Sequence, residues 1–317
     1  MKLLVSNLED LTTYVSREFS YIMKDLISIH GWRHIEIREL WNGPGTISDQ
    51  IIAEFGELPG SILFWEGYEL LAKRAAEVIS LESRKFILAD DLHWWDERTR
   101  LRKLVGFGLC ETVLATYGYV WNEFYPEFCG QKKVVWVPHS ASPDFLVGYN
   151  ERAENSILLS GAINRYYPLR RQMKALHDQN SYPIAYHQHP GYDTGYDYEN
   201  NRSVGGAYAR TINRYRAGFT DSLTLRYVVA KYFEIPATGA LLFADDSVHG
   251  PLQELGFIAN RHYLPVSQEN LEEKIRYVLD ESNHEELDAI RRSGQQLVWQ
   301  RHTTSHRASQ IDQVCSV

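Results

Sequence analysis

Apolar residues recur along the chain in two alternating rhythms. Residues 3–5 form a short apolar run that reads as a strand. A helical rhythm follows, with Leu11, Val15, Phe19, Ile22 and Leu26 on one face and Gly31 just beyond as a stop. Residues 34–40 alternate like a strand. Residues 62–65, 86–89, 112–115 and 134–137 are short apolar runs of the kind that a parallel sheet buries on both faces. Between them, 68–79 and 98–109 carry helical patterns. The series then restarts. Strands are predicted at 157–159, 184–187, 219–221 and 241–244. Helices are predicted at 169–177, 207–215, 225–237 (stopped by Gly239) and 271–279 (capped by Ser267 or Asn270), with a last long helical region from Glu285.

Repeated βα units imply parallel sheets with right-handed crossovers. Two such series, joined near residues 145–154, predict an α/β protein of two doubly wound, Rossmann-like domains facing a cleft. The expected boundaries are 1–150 and 151–285, with helices in 286–317 packing back toward the first domain. The length of 317 residues suits two domains, since it exceeds the size at which one core keeps growing. In open α/β sheets, ligands sit beyond the carboxyl ends of the strands. That rule directs attention to residues 90–96, 138–140, 160–165, 187–192, 221–222 and 245–246. The polar, Tyr- and Gly-rich stretch 190–206 is the longest predicted loop.

Composition narrows the function classes. Hydrophobic residues at 44% and charged residues at 23% describe a globular chain. The net charge of -8 argues against a nucleic-acid backbone as the main partner, while leaving a local basic stripe open. Cys110, Cys129 and Cys315 are odd in number and lack CxxC spacing, which points to reduced thiols rather than a disulfide frame or a zinc site. No run approaches the ~20 apolar residues of a membrane span, and the amino-terminal run is too short for a signal peptide. A cytoplasmic location is expected.

The segment Lys231-Tyr232-Phe233-Glu234-Ile235-Pro236-Ala237-Thr238-Gly239 places a carboxylate on an apolar helix before a buried strand. Such a carboxylate can accept two hydrogen bonds from a diol. Ser160-Gly161-Ala162-Ile163-Asn164-Arg165 joins a strand to a helix. Gly161 would let the backbone approach a phosphate, and Arg165 offers planar donors. The plain alternative is a simple turn with solvated arginines, and Arg170 and Arg171 are read that way. In Asp90-Asp91-Leu92-His93-Trp94-Trp95-Asp96, Asp91 or His93 could take a hydroxyl proton, and Trp94 and Trp95 could stack on a sugar ring. There the plain alternative is an N-cap at Asp91 or Asp96. His187 and His189 share a strand face but lack a third metal ligand, and His302 and His306 read as surface residues.

The segment around Glu234 resembles the donor-site helix of GT-B glycosyltransferases. It is most similar to the CgeB-like, spore-maturation-type group of the glycosyltransferase group 1 superfamily, which carries an aromatic-Glu-Ile-Pro-Ala-x-Gly pattern there. Val137-Pro138-His139-Ser140 with Phe145, Leu158-Leu159-Ser160-Gly161-Ala162, residues 270–279 and Trp299-Gln300-Arg301-His302-Thr303 fit as well. The resemblance covers most of residues 85–307. It implies transfer of a sugar from a nucleotide-sugar donor to the hydroxyl of a glycan or other acceptor, with no metal and no further cofactor.

On that resemblance Glu234 holds the donor ribose and Lys231 reaches the diphosphate. Gly161, Arg165, His187, Asp221 and Ser222 complete the donor side of the second domain. The first domain holds the acceptor, with Asp91 and His93 as catalytic candidates and Trp94, Trp95 and His139 on the acceptor side. The wider retaining group often has a second Glu eight residues before the first. Arg226 stands there, so retention or inversion of the anomeric centre is left open. Also open are a hexosyl or pentosyl donor, a sugar-nucleotide epimerase on the same fold, a non-catalytic nucleotide-sugar binder, and a modified nucleic-acid base as acceptor.

Overall fold

The computed structural model of the chain describes residues 1–222 and 224–316. The chain forms two compact units. The first comprises Met1–Thr12, Phe19–Pro138 and Ser305–Val317, and the second Thr13–Glu18 and His139–Thr304.

The first unit holds six parallel strands: β1 (Lys2–Ser6), β2 (Arg33–Glu36), β3 (Ser61–Trp65), β4 (Arg84–Ala89), β5 (Thr112–Ala115) and β6 (Lys133–Trp136), in the order β2-β1-β3-β4-β5-β6. Every residue of β3 and β5 is buried, as expected of strands covered on both faces. One core cluster joins Leu4, Leu63, Phe86 and Leu114 of the sheet to Ile22, Met23 and Leu26 of the helix Glu18–Ser28. Ala308, Ile311 and Cys315 of the helix Thr304–Ser316 belong to the same cluster. Asp312 of that last helix accepts from Trp32 Nε1 at 2.6 Å and is ion-paired with Lys2.

The second unit holds five parallel strands: β7 (Glu154–Gly161), β8 (Ile184–Gln188), β9 (Tyr215–Thr220), β10 (Leu241–Asp245) and β11 (Leu264–Val266), in the order β11-β10-β9-β7-β8. Its core packs Ile157, Leu159, Phe219, Leu241 and Phe243 against Leu169, Met173, Ile275, Leu287 and Ile290. In both sheets the order reverses beside the first strand. In the second unit the reversal lies between β7 and β9, and a crevice for ligands is expected at their carboxyl ends.

The structure differs from the sequence reading in several places, one being the strand expected over residues 34–40, which ends at Glu36 and gives way to the helix Ile37–Asn42. The boundary expected at residue 150 falls at Pro138–His139, because Ala141 bridges to Thr303 and Phe145 packs edge-on against Tyr208, both in the second unit. The residues after 285 divide between the units. Helix His284–Arg301 stays with the second, where Arg291 donates to Gly239 O and Asn150 O at 2.9 Å each. The predicted helix running through residues 11–26 is two helices, Leu8–Thr12 and Glu18–Ser28. Between them the β-branched, hydroxyl-rich stretch from Thr12 to Ser16 has low helix propensity, and Thr13 and Val15 make backbone bonds within the second unit instead. Finally, the helix predicted from residue 225 begins only at Lys231, after Arg226 has adopted the left-handed φ of 57°.

Candidate functional site

The carboxyl ends of β7 and β9 carry a cluster of polar and charged side chains. β7 ends at Gly161, whose φ of +95° suits glycine. A Cβ there would lie 2.7 Å from Lys231 Cε and 2.8 Å from an Arg170 terminal nitrogen. The missing side chain is therefore what allows two cationic side chains to converge on the end of this strand. Arg170 is buried in the first turn of helix Pro168–Asp178. Its guanidinium donates to Thr220 Oγ1 at 2.8 Å and Ala162 O at 3.2 Å, and lies 3.4 Å from Asp221 Oδ1. Asp221 also accepts from Arg170 N at 3.0 Å. Burial pushes the Asp221 carboxyl up, against the pull of Arg170.

Lys231 opens the helix Lys231–Ala237, and Glu234 lies one turn on. Lys231 Nζ donates to Tyr208 Oη at 2.6 Å and lies 3.7 Å from Glu234 Oε2. Tyr208 Oη also shares a hydrogen bond with Ser160 Oγ at 2.7 Å. Burial works against the Lys231 ammonium, yet Tyr208 and Glu234 outweigh it and hold its pKa above the usual lysine value. Glu234 is only 7% exposed. Burial raises its pKa more than Lys231 lowers it, and Glu18 adds to the rise while His139 opposes it. Hydroxyl donors at this carboxylate would favour its charged form.

His187 stacks on Tyr208 at 5.3 Å, and its buried Nε2 has no hydrogen-bond partner. Burial first, and Lys231 second, lower its pKa. His189 is lowered to about 4 by burial and by Lys231, Arg170 and His187. Both rings are neutral near pH 7, so they add hydrogen-bonding capacity beside the cations without adding charge.

The other predicted residues are placed as follows. Arg165 is exposed and bonds Tyr166 Oη at 2.8 Å. Ser222 bonds Ser247 Oγ at 2.8 Å and the Asp245 carboxylate. Asp221 and Ser222 thus hold the strand ends together, and Asp221 anchors Arg170. His139 sits in the second unit with Glu234, not with the acceptor-side residues; its Nδ1 lies 2.8 Å from Glu18 Oε2. Arg170, read from the sequence as solvated, is buried, while Tyr208 and Glu18 escaped the sequence reading. Arg170 had one usable signal, its place in the first turn of an amphipathic helix after a strand–Gly turn. His302 is buried rather than superficial, stacked on Phe257 at 5.5 Å with Nε2 2.9 Å from Leu255 O.

In the first unit, the loop after β4 carries Asp91, His93, Trp94 and Trp95. Lys103, from helix Glu97–Leu109, is buried and donates to the carbonyls of Asp91 and His93, the latter at 3.0 Å. His93 Nδ1 lies 3.8 Å from Asp91 Oδ1, and its pKa is lowered by burial, with Asp91 opposing. Trp94 packs against Phe124 and Tyr125 beneath Arg100, whereas Trp95 is 75% exposed and touches His93 edge-on at 5.0 Å. Asp96 is the N-cap of the following helix and accepts from Thr99 N at 2.7 Å. Beside this loop, Glu66 follows β3 with a left-handed φ of 58° and a pKa raised by burial. Among the described residues, no group of three or more His, Cys, Asp and Glu is placed to hold a metal ion.

Solved structures reproduce this architecture. The sucrose-phosphate synthase of Thermosynechococcus elongatus aligns over 99% of this chain and 97% of its own, with a TM-score of 0.64 at 11% identity. An alpha-glucosyltransferase in complex with UDP-glucose and DNA containing an abasic site aligns over 100% and 99%, with a TM-score of 0.64 at 10% identity. Anabaena Alr3699/HepE in complex with UDP and glucose aligns over 100% and 99%, with a TM-score of 0.63 at 10% identity. The fold is GT-B. Residues 169–313, which span Arg170, Tyr208, Lys231 and Glu234, match the model of a family described as glycosyl transferase-like. No curated protein matches in sequence. No helix among the described residues is long and apolar enough to cross a membrane.

Proposed function

We propose that this GT-B chain is a glycosyltransferase that binds a nucleotide-sugar donor at the carboxyl ends of β7 and β9. The observation that carries the reading is the convergence of Lys231 and Arg170 at Gly161, one helical turn from the buried Glu234. Two cations at a glycine strand end suit a diphosphate, whose developing leaving-group charge they would stabilise. A buried carboxylate with a raised pKa suits a ribose diol, which supplies two donors at once. The glycosyl transferase-like match covers Arg170, Lys231 and Glu234. Within that superfamily we place the chain in the CgeB-like group, on the segment from Lys231 to Gly239. The similar structures bound to UDP or UDP-glucose make a UDP-hexose the first donor to test.

On the acceptor side, Trp95 offers an exposed ring for a glycan, and Asp91 or His93 offers a base for its hydroxyl. Lys103 fixes the carbonyls of that loop and so fixes where both side chains start. We read the reaction as metal-independent and the protein as cytosolic, with its three thiols free.

The test is incubation of pure protein with a panel of nucleotide sugars, with and without glycan acceptors. Transfer, or slow donor hydrolysis without acceptor, is the expected result. Epimer formation or binding without turnover would replace the reading with an epimerase or a binding protein. Activity should persist in EDTA; loss in EDTA with recovery in Mn²⁺ would refute metal independence.

A further inference from the structure

Residues Thr13–Glu18 lie between two helices of the first unit yet pack in the second. Their bonds reach three parts of it. Val15 N donates to Asp193 O at 3.2 Å, Tyr196 N donates to Thr13 O at 3.0 Å, and the Tyr198 hydroxyl donates to Tyr14 O. Arg17 stacks on the Tyr198 ring at 3.7 Å and donates twice to Asp144, at 2.6 and 3.2 Å. Asp144 lies in the short turn Pro143–Phe145, which packs on the helices carrying Tyr208 and Glu234.

Glu18 is the end point of this segment. It is 4% exposed. Its Oε1 accepts from Ser140 N at 2.6 Å and from Ser140 Oγ at 2.8 Å, and its Oε2 lies 2.8 Å from His139 Nδ1. A carboxylate only accepts, so Nδ1 carries the proton and the imidazole tautomer is fixed. His139 is 8% exposed, and both His139 and Glu18 act electrostatically on Glu234. A second carboxylate beside a buried one is costly unless its own charge is spread over donors, and Glu18 has three. Packing alone would be served more cheaply by an apolar side chain.

We propose that Glu18 is a positioning residue of the donor site, holding His139 in a fixed orientation and tautomer beside Glu234. This rests on the donor reading of Glu234 given above. Three groups then set the field at the ribose carboxylate: Lys231, His139 and Glu18. Lys231 and Glu234 come from one helix, His139 from the start of the second unit's main segment, and Glu18 from the amino-terminal segment. Removing Glu18 removes the acceptor that holds the Nδ1 proton and weakens the match between Glu234 and the diol.

The test is a double-mutant cycle with UDP-glucose as the probe. Glu18→Ala, Glu18→Gln, His139→Ala, His139→Asn, Glu18→Ala/His139→Ala and Glu234→Ala are titrated by calorimetry at a temperature where circular dichroism shows each to be folded. Glu18→Ala and His139→Ala should each weaken binding by about tenfold. The double variant should be no weaker than either single one, because both remove the same arrangement. Glu18→Gln and His139→Asn, which keep one acceptor or one donor, should recover part of the loss. The His139 ring ¹⁵N resonances should show one tautomer in the wild type and a mixture in Glu18→Ala. If Glu18→Ala does not fold, Glu18→Gln with His139→Asn completes the cycle. Wild-type affinity in the folded Glu18 variants, or losses that multiply in the double variant, would overturn the proposal. If Glu234→Ala abolishes binding while the Glu18 variants bind normally, the donor reading stands and the positioning role falls. If the wild type does not bind UDP-glucose and its His139 ring is unaffected by Glu18→Ala, both fall.

Discussion

At the scale of single residues, the site depends on groups that are costly to bury. Glu234 is a carboxylate buried on a helix whose Tyr232, Phe233 and Ile235 are almost fully buried. If it holds the ribose, Glu234→Ala should weaken donor binding by roughly ten- to a hundredfold, since a hydrogen bond to a charged group contributes about 1.5–3 kcal/mol. Glu234→Gln should be milder, because the amide retains one acceptor oxygen. Calorimetric titration of both variants decides the matter, and unchanged affinity in a folded Ala variant would move the donor site elsewhere. The paired tryptophans separate in the same way. Trp94 is packed among Phe124, Tyr125 and Arg100, so Trp94→Ala should destabilise the fold by about 3–5 kcal/mol at most, less to the extent that the ring is only partly buried. Trp95 projects outward, so Trp95→Ala should leave stability and acceptor-free donor hydrolysis unchanged and raise the acceptor KM. Steady-state kinetics with and without acceptor tests this.

At the scale of elements, what the sequence reveals is what is local. Alternating apolar runs made the two parallel sheets legible, because strands buried on both faces must be apolar throughout. Gly161, Lys231 and Glu234 were legible because strand–turn–helix grammar marks them, and the structure brings them together. Arg170 was not: an arginine in an amphipathic helix looks solvated until Asp221 and Thr220, some fifty residues on, fold beside it. Tyr208 and Glu18 are equally invisible, since their partners lie far along the chain. The helix over 11–26 failed for the same reason, as its apolar spacing continues through Thr13–Arg17 while the backbone bonds go elsewhere. The Asp91–Asp96 loop shows both outcomes in one segment. Asp96 is a cap, so Asp96→Ala should cost about 1 kcal/mol of stability, read from urea denaturation, with no change in kcat. Asp91→Asn and His93→Gln should leave stability nearly unchanged and lower kcat. A large kcat loss in Asp96→Ala would reassign the base.

At the scale of the whole molecule, protonation links the site to stability. His34, His93, His187, His189, His262 and His284 all have pKa values lowered chiefly by burial. For each, the unfolded chain takes up a proton at a higher pH than the folded one does. Between the two pKa values the unfolded state binds more protons, so stability rises with pH and is lost as pH falls. For His189 the window runs from the unfolded value of 6.5 down to about 4. The melting temperature should therefore fall on acidification from pH 7 to pH 4. His189→Asn should reduce the slope, because an amide does not titrate, provided that it also accepts from Gly191 N, as His189 Nδ1 does at 3.0 Å. The ring is also lowered by Lys231 and Arg170, the two cations assigned to the diphosphate. A bound diphosphate would offset their charge and raise the His189 pKa toward its ordinary value. Adding UDP should then shift the His189 titration upward, and NMR titration of the ring with and without UDP measures that shift. A His189 titration that UDP leaves unmoved would place the diphosphate away from Lys231 and Arg170.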